Sequence, residues 1–295
     1  MARVGRFALH NTVMIETIAQ RIIVAAIAVA GGTLAAWAQD ASAWDGELHA
    51  AARLIGGVKS DTTLLRAGLE IRLDPGWKTY WRYPGDSGVP PTLDFVGSEN
   101  VRSVTMLWPA PKRFDDGAGG QSLGYSGDVV LPLHVVPADA SKPAALRVKL
   151  GYAVCGNLCI PAQADLDLSL SGKAGAEEPT LAAAEARVPR RVALGASDKK
   201  NSLAVRSVHR ETDSAKASVV VEVVAPENAP VDLFVEGPTP DWALPLPEPA
   251  GGAPGVRRFT FVLGGLPPGA RPEGAMLTLT VVSPNDAIEV AAHLD

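Results

Sequence analysis

The sequence predicts an all-β protein, two antiparallel β-sandwich domains joined by a short, partly helical linker. Three observations carry that expectation. Glycine (29) and proline (24) are abundant among the 295 residues, which favours many short strands and turns over long helices. Short alternating or apolar segments recur between Gly/Pro/Asp clusters from Trp44 onward. One stretch, residues 171–200, breaks that rhythm with an Ala- and Glu-rich segment. At 47% hydrophobic and 20% charged residues the chain can bury a sizeable core, and a net charge of −5 gives no electrostatic footprint for nucleic acid. Two cysteines are too few for a disulfide-stapled scaffold or a four-thiolate zinc site.

The first element is an address. Ile22–Ala38 is an apolar run preceded by Arg3, Arg6 and Arg21, and it ends in Ala36-Trp37-Ala38 before polar Gln39 and Asp40. That is the pattern of a cleavable signal peptide over residues 1–38. The run is shorter than the roughly 20 residues a spanning helix needs, so no stable membrane insertion is expected after cleavage. The mature protein is expected in the periplasm.

Residues 39–172 form the first expected sandwich. Its strands are read at Leu64–Leu73, Thr92–Val96, Val101–Trp108, Val129–Val136, Leu146–Cys155 and Ala164–Leu170. In Leu146-Arg-Val-Lys-Leu150 the period is two: Leu146, Val148 and Leu150 share one face, Arg147 and Lys149 the other. Residues 173–200 are the expected linker, with a short helix over Thr180–Val188. Strand-like pieces return at Ala217–Val224, Val231–Val235, Arg257–Leu263, Ala275–Val282 and Ile288–Ala292, giving a smaller second sandwich over 201–295.

Chemistry is expected at Cys155-Gly156-Asn157-Leu158-Cys159. Gly-Asn is turn chemistry, so the segment reads as a hairpin tip whose thiols lie close enough to bridge. Three readings stay open on these residues. A structural disulfide suits an oxidising compartment, but closing so short a ring restricts the unfolded chain by only about 2 kcal/mol in the chain-entropy account. Thiol–disulfide exchange is the second reading. Cu(I) binding is the third, although no histidine lies near the pair and a zinc site would lack two ligands.

Other features carry weaker signals. Gly85-Asp86-Ser87-Gly88 matches the string around a protease nucleophile but lacks a suitably placed His and Asp, and reads as a turn. Trp77, Tyr80, Trp81 and Tyr83 form an aromatic cluster, read mostly as core and otherwise as a wall beside a reactive site. The glycine-rich stretch from Phe114 to Gly127 reads as a mobile loop or lid.

Four segments in order carry a family resemblance. They are Trp77-Lys-Thr-Tyr-Trp-Arg-Tyr-Pro-Gly-Asp-Ser-Gly-Val-Pro-Pro91, Trp108-Pro-Ala-Pro-Lys-Arg-Phe114, Gly124-Tyr-Ser-Gly-Asp-Val-Val-Leu-Pro-Leu133 and Tyr152-Ala-Val-Cys-Gly-Asn-Leu-Cys-Ile-Pro161. Together they resemble the N-terminal periplasmic domain of the thiol:disulfide interchange reductase DsbD, and its suppressor-of-copper-sensitivity relatives, across about residues 45–172. The resemblance implies immunoglobulin-like sandwiches in which Cys155 and Cys159 are the redox pair, exchanging through a mixed disulfide. It places Phe114 and Tyr125 in the loop that caps the pair. It implies a thioredoxin-like periplasmic oxidoreductase as partner and a separate membrane electron donor, since the membrane and thioredoxin-like parts of the full-length reductase do not appear in these residues. A protein-disulfide reductase component without cofactor or metal is therefore expected, with a binding module or a Cu(I)-handling copper-tolerance protein as alternatives.

Overall fold

The computed structural model describes residues 40–61, 63–116, 119–196, 203–211 and 217–295, so the expected signal peptide lies outside the described residues. In chain order the first sandwich contains β1 (Ala50–Gly56), β2 (Leu65–Leu73), β3 (Lys78–Gly85), β4 (Thr92–Asp94) and β5 (Val101–Met106). It continues with β6 (Lys112–Asp115), β7 (Gln121–Ser126), β8 (Val129–Pro137), β9 (Ala144–Cys155) and β10 (Cys159–Leu170). One sheet has the order β1-β2-β8-β5; the other runs β10-β9-β3-β7-β6, with β4 also paired to β9. All these pairings are antiparallel.

The alternation in the sequence becomes the core. Leu146, Val148 and Leu150 are buried while Arg147 and Lys149 face water, and β10 alternates likewise from Ala164 to Leu170. These leucines pack with Leu69, Ile71, Leu131 and Leu133 of the opposite sheet around fully buried Trp81. Burying each large apolar side chain contributes about 1.5–3 kcal/mol.

Helix α1 (Glu178–Glu185) follows, with Pro179 in its first turn, where the missing N–H costs nothing. Its Leu181 and Ala184 pack on Ile55 and Val130. Arg66 holds it by hydrogen bonds to Glu178 (2.6 Å) and Glu185 (2.5 Å). Strand β11 (Arg190–Val192) then pairs in parallel with β18 (Asp286–His293) of the second sandwich. The stretch expected as a partly helical linker thus carries its short helix and one strand, both docked: Leu181, Ala184 and the Arg66 partners face the first sandwich and β11 completes a sheet of the second.

The second sandwich contains β12 (Ala204–Glu211), β13 (Ser218–Val224), β14 (Asp232–Glu236), β15 (Glu248–Pro249), β16 (Val256–Val262), β17 (Met276–Ser283) and β18. Its sheets have the orders β11-β18-β17-β14 and β12-β13-β16-β15. Val219, Val221, Val223, Leu277, Leu279, Val281, Ile288 and Val290 fill the space between them. The architecture is all-β and immunoglobulin-like. No helix among the described residues is long and apolar enough to cross a membrane.

The glycine-rich stretch is more ordered than expected. Gln121–Ser126 is strand β7, which pairs with β6 on one side and β3 on the other. Gly124 lies so close to β3 that a Cβ there would sit 2.0 Å from the Thr79 carbonyl oxygen. Its glycine serves close backbone approach rather than mobility.

Candidate redox site

Cys155 ends β9 and Cys159 begins β10, and the two face each other across the hairpin at a Cα separation of 4.1 Å. They form a disulfide. The Gly156-Asn157-Leu158 turn between them closes with a hydrogen bond from the Gly156 N–H to the Leu158 carbonyl. The strands therefore converge on the bridge at their very ends, where no further pairing lies beyond it.

The two sulfurs sit in different surroundings. Cys155 is 1% exposed and packs with Tyr80 and Ala153, whereas Cys159 is exposed at the start of the outer strand. Next to it Leu158 projects into solvent, 71% exposed. Cys159 is thus the more exposed residue of the bridge and Cys155 the covered one.

The Tyr80 side chain touches both sulfurs. Its hydroxyl oxygen lies 2.8 Å from Cys155 Sγ and 3.3 Å from Cys159 Sγ. Disulfide sulfurs carry no proton, so the phenol is the donor. Burial, and secondarily the charge of Asp116, push the Tyr80 phenol above its ordinary range, so it stays protonated as a donor. Strand β3 brings it there, because Lys78 and Thr79 pair with Cys155 and Val154. The Thr79 hydroxyl also donates to the Ala153 carbonyl at 2.9 Å.

A turn covers the tyrosine. Gly88, at φ 131°, lies flat on the ring: a Cβ there would come within 2.3 Å of Tyr80 Cε1. The turn is tied to the β6–β7 connection, since Ser87 donates to Asp116, the Asp86 N–H to the Gln121 carbonyl and the Gln121 N–H to the Asp86 carboxylate. Gly85-Asp86-Ser87-Gly88 is thus a lid on a phenol, with Ser87 engaged by a carboxylate. On the other side of the hairpin, the Trp77 ring packs against Gly156. Trp77 stacks on His49 at 3.9 Å, and His49 pairs with Asp74.

Phe114 and Tyr125, the residues expected in a capping loop, make other contacts. Phe114 lies in β6 beneath the Lys78 ammonium, 5.3 Å from the ring centre. Tyr125 is buried in β7 with its hydroxyl on the Pro109 carbonyl, and burial raises its phenol well above the usual range. Neither makes a hydrogen bond to a sulfur among the described residues. The aromatic cluster around Tyr80 held the signal for the residue that does. Among the described residues no group of three or more His, Cys, Asp or Glu is placed to hold a metal ion.

A disulfide at a hairpin tip, with one cysteine buried beside a tyrosine and the other exposed, suits thiol–disulfide exchange. Residues 55–171, which lie in the first sandwich, match the family described as thiol:disulfide interchange protein DsbD, N-terminal. The fold is also similar to the crystal structure of the N-terminal periplasmic domain of ScsB from Proteus mirabilis, with a TM-score of 0.67 and 24% sequence identity. That likeness covers 86% of this chain and 98% of that one, reaching beyond the family match into the second sandwich. No curated protein matches the chain significantly.

Proposed function

We propose that this protein is a periplasmic electron relay that reduces the disulfide of a thioredoxin-like oxidoreductase and is itself re-reduced by a membrane dithiol donor. The observation that carries the reading is the asymmetry of the pair: exposed Cys159, buried Cys155, and the Tyr80 hydroxyl within reach of both. In the reduced protein the Cys159 thiolate attacks a partner sulfur, forming a mixed disulfide and releasing one partner thiolate. The Cys155 thiolate then attacks Cys159 Sγ, re-forms the internal bridge and releases the second partner thiolate. Two electrons pass to the partner, and the two protons lost by the cysteines balance the two partner thiols. The donor dithiol reverses these steps.

Tyr80 supports both directions by donating to whichever sulfur carries charge. Leu158 at the tip and Val89 beside the Gly88 lid are both exposed and offer apolar contact to a docking partner. The periplasmic location is supported by the Ile22–Ala38 signal pattern and by the likeness to the ScsB domain, which is itself periplasmic.

Trapping tests the assignment. Cys155→Ser keeps the attacking sulfur and removes the resolving one, so it should accumulate a mixed disulfide with a thioredoxin-like protein. Cys159→Ser should accumulate none. Equal trapping by both variants overturns the sulfur assignment, and no trapping by either, with lost thermal stability, marks a structural bridge.

A further inference from the structure

The redox pair, its tyrosine and its lid all belong to the first sandwich, which leaves the second without a task. Strand β3 connects them. Its pairing with β9 covers only Lys78 and Thr79, and its pairing with β7 runs to Tyr80 opposite Gly124, then lapses until Gly85. Tyr80 is therefore the last residue held by the regular ladder of its own sheet.

The next three side chains are all met by the second sandwich. Trp81 packs against Phe234 of β14, with ring centres 6.0 Å apart. Arg82 makes a two-pronged bond to Glu236 of β14 at 2.6 and 2.9 Å, and reaches Glu289 of β18 at 2.6 Å. Tyr83 donates its hydroxyl to the Leu244 carbonyl. The Arg82 guanidinium, one-quarter exposed, lies over the Trp81 ring at 4.4 Å. A planar fork on two carboxylates fixes direction as well as distance, which a lone lysine would not.

We infer that the second sandwich is a positioning element of the redox site, and that Arg82 is the positioning residue through which it holds the Tyr80 hydroxyl against the two sulfurs. The strand needs a restraint on both sides of Tyr80. The Cys155 strand supplies one, and the Glu236–Arg82–Glu289 clamp supplies the other. This inference rests on the redox reading above, and the experiment separates the two.

The test is a double-mutant cycle read as the rate at which dithiothreitol reduces the disulfide of the full chain. A small dithiol makes no contact with a docking surface, so the rate reports the site alone. Arg82→Met should slow reduction about threefold or more, because a misplaced hydroxyl no longer assists departure of the Cys155 thiolate. Glu236→Gln keeps the shape of the clamp and one of its carboxylates, and should slow it in the same direction; it carries the test where Arg82→Met does not fold. In a Tyr80→Phe background both substitutions should have no further effect. Equal slowing with and without the Tyr80 hydroxyl assigns Arg82 a general structural role and overturns the inference. So does an unchanged rate in both clamp variants. Failure of the redox reading looks different: Cys155→Ser would then trap no mixed disulfide with any thioredoxin-like protein, whatever the clamp does.

Discussion

Tyr80→Phe is the sharpest perturbation of the site, because it deletes one hydroxyl and keeps the ring that lies under Gly88. In the oxidised protein the phenol donates to neutral sulfurs; after reduction it donates to a thiolate. A hydrogen bond to a charged acceptor contributes about 1.5–3 kcal/mol. Its loss should push the Cys155 thiol upward, because the ionised sulfur loses its donor. For a two-electron couple the same energy corresponds to a potential about 30–65 mV more negative. The direction follows from the charge: the hydroxyl favours the ionised sulfur, so removing it disfavours the reduced form. The shift should be smallest at low pH, where protonated thiols do not draw on the hydroxyl, and should grow as pH rises and the sulfur ionises. Tyr80 still donates there, because burial first and Asp116 second hold its own pKa above the ordinary value. Equilibration against dithiothreitol at pH 6, 7.5 and 9, with thiols counted by alkylation, measures this. A potential that moves by less than about 10 mV at pH 9 would refute the argument that Tyr80 stabilises the leaving thiolate.

Gly88→Ala should force the Tyr80 ring to move, since the new Cβ would lie 2.3 Å from it at a φ of 131°; a loss of about 1–3 kcal/mol in thermal or urea unfolding is expected, with slower reduction by dithiothreitol. Arg66→Met leaves Glu178 and Glu185 facing the first sandwich without their cation, so unfolding should show a loss of about 1.5–3 kcal/mol and proteolysis should cut earliest around α1. Burial raises the Glu178 carboxyl, but the Val58 N–H and Arg66 outweigh it and hold the group below its usual range. Its contribution to stability is therefore present above the unfolded carboxylate value of about 4.3 and is lost as pH falls through the folded one. Between pH 6 and pH 3 the melting temperature of Glu178→Gln should fall less than that of the unsubstituted protein.

The fold was legible where physics is local. Leu146-Arg-Val-Lys-Leu150 alternates because one face of β9 meets the core and the other meets water, and that needs no knowledge of the partner strand. The hairpin at Cys155–Cys159 was legible for the same reason, since Gly156-Asn157 is a turn on its own merits. Tyr80 was harder to single out. Its role depends on β3 lying beside β9, a non-local pairing, and an aromatic cluster gives no sign of which hydroxyl will reach the sulfurs. Gly124 looked like loop chemistry, yet its missing side chain admits the Thr79 carbonyl, a contact between segments far apart in sequence. Arg82 carried no signal at all, because its carboxylates come from strands far along the chain.

Strand β11 gives the molecule an order of assembly. A chain made from its N-terminus completes every strand of the first sandwich by Leu170 and can close it early. The second sandwich cannot close so soon, because β11, its first strand, waits for β18, its last. Until Ile288, Glu289 and Val290 arrive to pair with Arg190, Arg191 and Val192, that sheet has an open side, and Glu289 is not yet there to take Arg82. Long-range closure of this kind comes late in folding. The cysteines can therefore meet and oxidise in a first sandwich whose neighbour is still unfinished, and the completed site is a property of the finished chain.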